Sequence, residues 1–97
     1  MSIEEYIETR IDCELDEERL KGLARMWAYY EEEGMIESTM SAVIGTIFGG
    51  SSTYLNLMYF QSEIPESSLD MFNQKFQKKI SDKRDELSKI IEDIKNE

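Results

Sequence analysis

The 97-residue sequence contains no histidine, one cysteine and one proline. Without histidine it lacks the commonest general base, the commonest transition-metal ligand and the usual physiological pH switch. Cys13 cannot form an internal disulfide. It has no histidine to activate it, and the neighbouring Asp12 and Glu14 disfavour a thiolate, so nucleophilic catalysis has no visible support. Positive charge is also scarce, with eleven Lys and Arg against 21 Asp and Glu, a net charge of −10. Phosphate backbones are bound by Lys and Arg that release condensed counterions, so direct nucleic-acid binding is disfavoured. Met1-Ser2-Ile3-Glu4-Glu5 is acidic and lacks the apolar core of a secretion signal, and cytoplasmic residence is expected.

The most local absence is of charge itself. A third of the residues are charged, yet none lies between Glu37 and Glu63. Within that window Ser41, Gly45, Gly49 and Thr53 recur every four residues, which on a helix places them on one face and lets another backbone approach at Gly45 and Gly49. The window is expected to be hidden from water. A membrane span is disfavoured by Asn56, Gln61, many hydroxyl residues and acidic flanks.

A hydrophobic fraction of 40% with ten aromatic residues argues for a folded chain, and its length for a single domain over residues 1–97. Ser2 with Glu5 reads as a capping box for a helix from about Ser2 to Asp12, with Ile3, Tyr6, Ile7 and Ile11 at helical spacing. Asp16 caps a second helix carrying Leu20, Leu23, Trp27 and Tyr30, Leu15 and Leu20 form a staple, and Gly34 ends it in a left-handed cap. Ser38 caps a third segment through Phe48. Two structures fit residues 42–60: a helix that continues past Gly49-Gly50-Ser51-Ser52, or a β-hairpin with that tetrapeptide as its turn. Helix is favoured, because an isolated hairpin is marginal and no other segment reads as a strand. After Ile64-Pro65, Ser67 with Asp70 restarts a long C-terminal helix with a seam of Leu69, Asn73, Phe76, Ile80, Lys83, Leu87, Ile90 and Ile94.

The fold class expected is therefore all-α: a small helical bundle of three to four helices with a long C-terminal helix, oligomeric. The alternative is α+β with a hairpin at about 42–60. Oligomerisation is expected because Tyr54 to Phe60 place apolar groups around most of a helix, more than one short chain can cover. Gly45, Gly49, Tyr54, Leu57, Met58 and Phe60 are the candidate interface.

The acidic run Asp12 to Glu18 does not satisfy an EF-hand, which needs glycine where Glu17 stands and glutamate where Leu23 stands. A ferritin-like di-iron site needs histidine. Glu4-Glu5-x-x-Glu8 resembles the first carboxylate motif of all-α nucleotide pyrophosphohydrolases of the MazG type, and that resemblance implies a magnesium-dependent hydrolase. It covers five residues and no Glu-x-x-Asp follows. A polar helix face with a capping box accounts for the same residues.

Glu31-Glu32-Glu33 falls in the last turn of a helix, where the macrodipole opposes negative charge. One reading has Lys or Arg of the last helix, where Lys75, Lys79 and Lys83 lie along one face, neutralise the triplet. The other makes it a binding surface for a basic partner protein. The leading expectation is a non-enzymatic protein-binding or regulatory protein acting as a homo-oligomer, without cofactor or metal. The alternatives are an acidic nucleic-acid mimic that inhibits a DNA- or RNA-binding protein, and the magnesium-dependent hydrolase.

Overall fold

The computed structural model describes residues 1–97 as four helices: α1 (Ile3–Glu14), α2 (Glu17–Glu32), α3 (Thr39–Phe60) and α4 (Glu66–Lys95). There is no strand, so the hairpin alternative is overturned. α3 runs unbroken through Gly49-Gly50-Ser51-Ser52. Two features carry it through that stretch. Val43, Ile47, Ser51 and Leu55 are all buried at a spacing of four, a continuous apolar and small stripe that only a helix aligns. The Ser51 hydroxyl donates to the Ile47 carbonyl at 2.7 Å and the Thr53 hydroxyl to that of Gly49, which holds the side chains on the helix itself.

Local signals set the helix ends. The hydroxyl of Ser2 accepts from the Glu5 amide at 3.1 Å, a carboxylate oxygen of Asp16 from Arg19 at 3.3 Å, and the hydroxyl of Ser38 from Ser41 at 3.1 Å. α2 ends in a Schellman motif: Gly34 has φ 78°, its amide donates to Glu31 and that of Met35 to Tyr30. The same motif closes α3 with Ser62 at φ 60°, where Ser62 donates to Tyr59 and Glu63 to Met58. α4 starts at Glu66, before the expected cap at Ser67. Pro65 occupies the N-cap with an extended backbone and no side-chain hydrogen bond, since its ring fixes φ at a value suited to entering a helix.

α1 and α2 pack on α3 and α4, and α3 packs on α4. Lys75 reaches Glu4 and Glu8 while Arg25 reaches Glu97. The α1–α2 rod, broken at Leu15-Asp16, therefore runs in the same direction as α4, with α3 antiparallel to both and packed against each. The core is Ile7, Ile11, Leu15, Leu20 and Ala24 from the first rod, Val43, Ile47 and Leu55 from α3, and Phe72, Phe76, Ile80, Leu87, Ile90 and Ile91 from α4. Asn73, expected on the α4 seam, is exposed and Phe72 is buried in its place. The T-shaped contacts of Phe48 with Phe72 and Phe76, at 5.4 and 5.2 Å, draw that face of α4 toward α3.

The bundle is elongated. Its radius of gyration is 14.7 Å, against about 12.5 Å for a compact chain of this length. Its accessible surface is 6322 Å², against about 5,800 Å² for a folded monomer of this mass. No helix is long and apolar enough to cross a membrane.

Candidate functional site

The uncharged window is only half buried. Ser41, Gly45, Gly49 and Thr53 all face solvent, and a Cβ added at Gly45 or Gly49 meets nothing within 4 Å. Within one chain no backbone approaches the ladder. The close approach falls one residue further on. A Cβ at Gly50 would lie 3.0 Å from the Glu14 carboxylate, and the Gly50 carbonyl accepts from the Arg10 guanidinium at 3.0 Å. Glu14 is buried and held by Arg10 at 3.2 Å and by Arg19. A carboxylate so enclosed is kept by paired charge-assisted hydrogen bonds. This cluster ties α1, the start of α2 and the middle of α3 together. The Arg10–Glu14 spacing of four was the sequence signal for half of it; nothing in the sequence marks Gly50 as the third partner.

Large apolar side chains stand exposed at the C-terminal end of α3. Phe60 is 80% exposed, Tyr54 66% and Leu57 48%. Tyr54 and the half-buried Met58 also form one wall of a groove of about 720 Å³, whose other wall is Met1, Ser2, Ile3 and Tyr6 at the start of α1, with Arg10 the one charged lining residue. Four of the six candidate interface residues thus gather at one end of the bundle, while Gly45 and Gly49 lie along the exposed middle of the same helix. The contribution of α1 to the groove was not legible in the sequence, because α1 and α3 meet only through the fold.

The acidic triplet divides. Glu31 accepts at one oxygen from the Thr39 amide at 2.8 Å and the Thr39 hydroxyl at 3.1 Å, and its other oxygen meets Lys95. Those bonds, that of Lys95 first, hold its carboxyl below the usual carboxylate value. The end of α2 tolerates this charge because it also lies at the N-terminus of α3, where the amide dipoles favour it. Glu32 and Glu33 are exposed. A lysine of the last helix thus meets Glu31, as expected, but it is Lys95; the three along the other face act elsewhere: Lys75 bonds Glu8 at 2.8 Å and Glu4 at 2.9 Å, Lys79 bonds Asp12 at 2.7 Å, and Lys83 bonds Glu86 at 2.9 Å. Glu8 is held low and Lys75 high by their mutual hydrogen bond, and Glu86 raises Lys83.

Glu4 and Glu8 therefore converge on a lysine ammonium, and no group of three or more Cys, Asp or Glu side chains is arranged to hold a metal ion. These contacts of Lys75 with Glu4 and Glu8 pack α1 on α4. Cys13 is exposed and free. No family model matches the chain, and neither a curated protein nor a solved structure matches it.

Proposed function

We propose that the chain is a non-enzymatic protein-binding or regulatory protein that works as a homo-oligomer in the cytoplasm. The observation that carries this reading is the charge-free face of α3, where Phe60, Tyr54 and Leu57 stand in solvent on an otherwise acidic molecule. A contiguous apolar patch on a small domain marks a contact surface, since leaving it exposed forfeits the burial that the rest of the core achieves. The larger-than-expected surface and elongated shape support the same reading. Glu32 and Glu33 are the carboxylates of the triplet available to a basic partner, because Glu31 is engaged in joining α2 to α3. The nucleic-acid mimic draws less support: the α1 carboxylates Glu4, Glu8 and Asp12 are met by Lys75 and Lys79 of α4, which breaks up a phosphate-like array of charge. Light scattering tests assembly. A solution mass of at least twice 11.4 kDa is expected, and a clean monomer up to the solubility limit would overturn it.

A further inference from the structure

We propose that the groove between α1 and α3 is the seat for Phe60 of a second copy, so that two chains exchange this ring reciprocally. The inference rests on the homo-oligomer reading and specifies its contact. Both halves of the contact are present on one chain and neither is satisfied within it. Phe60 is the most exposed aromatic side chain, and the apolar groove walled by Ile3, Tyr6, Tyr54 and Met58 is unfilled. A twofold axis passing near Leu57 would insert each ring into the other chain's groove and close the assembly at two subunits, as an isologous interface requires.

Charge favours this occupant. The groove lies at the N-terminus of α1, the positive end of that helix, and holds Arg10. Phe60 stands at the C-terminus of α3, the negative end, three residues before Glu63. The ends that meet are therefore of opposite sign. Of the two acids in the first turn of α1, Glu4 is paired with Lys75, which it shares with Glu8, while Glu5 keeps its charge and accepts from the Ser2 hydroxyl. Arg10 donates to Glu14 and Gly50, which leaves the guanidinium face for an incoming ring. Elsewhere, like-charged surfaces of a −10 chain would repel a second copy. Two copies each of Phe60, Tyr54 and Leu57, with the walls they cover, amount to about 1,000 Å² of buried surface, the lower bound for a specific interface.

Two measurements test the seat. Phe60→Ala should raise the dimer dissociation constant by a factor of about 30 or more, as loss of a hot-spot aromatic does, with helicity by circular dichroism unchanged because the side chain is exposed. Mixed Met58→Cys and Phe60→Cys chains, both in a Cys13→Ser background, should form a disulfide between the two substituted positions of different chains. A wild-type dimer that persists in Phe60→Ala and gives no such cross-link overturns the seat while the homo-oligomer stands. A monomeric wild type overturns both.

Discussion

Replacing Gly50 by alanine tests the contact that joins three helices. Glycine in a helix interior costs about 1 kcal/mol relative to alanine, so the exchange ought to stabilise α3 wherever there is room. At Gly50 there is none: the new methyl would lie 3.0 Å from the Cδ, Oε1 and Oε2 atoms of Glu14. That carboxylate cannot simply withdraw, because Arg10 and Arg19 hold it and little of it is exposed. A shift of a few tenths of an ångström would stretch both charge-assisted hydrogen bonds and the bond from Arg10 to the Gly50 carbonyl. Intact bonds of this kind contribute about 1.5–3 kcal/mol each. The arginines are partly exposed, so a combined loss of about 2 kcal/mol is the appropriate scale.

Gly50→Ala should therefore lower stability by about 1 kcal/mol net, a fall in Tm of about 5 °C for a domain of this size. Gly49→Ala in the same helix and Gly22→Ala in α2 have open space and should raise Tm by a similar amount. In a Glu14→Ala background the obstacle is gone, and Gly50→Ala should become stabilising, which gives a coupling of about 2 kcal/mol in the double-mutant cycle. Thermal unfolding followed by circular dichroism reads all four variants and the double substitution. If Gly50→Ala raises Tm as much as Gly49→Ala, the reasoning fails.

Ser62→Gly should stabilise the protein by about 0.5–1 kcal/mol in denaturant unfolding, because serine at φ 60° closes α3 where glycine is unstrained. Gly34→Ala should do the opposite by a similar amount at the equivalent position of α2, and equal midpoints for the two variants would refute the left-handed cap argument. The carboxyls of Glu31 and Glu8 are both held below the usual carboxylate value, chiefly by their hydrogen bonds from Lys95 and Lys75. A carboxyl depressed by folding contributes stability above its unfolded value, and that contribution is lost as pH falls through the folded value. Glu31→Gln should therefore flatten the decline of Tm in the acid range below the ordinary carboxylate value, whereas Glu32→Gln, an exposed neighbour, should leave the profile as it is; identical profiles for Glu31→Gln and the wild type would remove the bridge from α2 to α3 and α4.

Much of the architecture can be read from local chemistry, because caps and periodicity depend on residues a few positions apart. Ser2, Asp16, Ser38 and Gly34 mark four helix ends that the structure places where those residues predict. The harder features depend on which segments meet. Gly45-x-x-x-Gly49 has the spacing of a close helix crossing, yet spacing shows only that a backbone can approach. Whether one does depends on the side of α3 that α1 and α4 occupy, and the alignment of Val43, Ile47, Ser51 and Leu55 turns that side away from the ladder. Lys75 and Lys79 were reasonable partners for Glu31 by charge, but the parallel run of the α1–α2 rod with α4 sets them against Glu4, Glu8 and Asp12 and brings Lys95 to Glu31 instead. The same register explains why the exposed apolar groups lie where they do. α1 begins beside the end of α3, so one end of the molecule carries both an open groove and an uncovered ring.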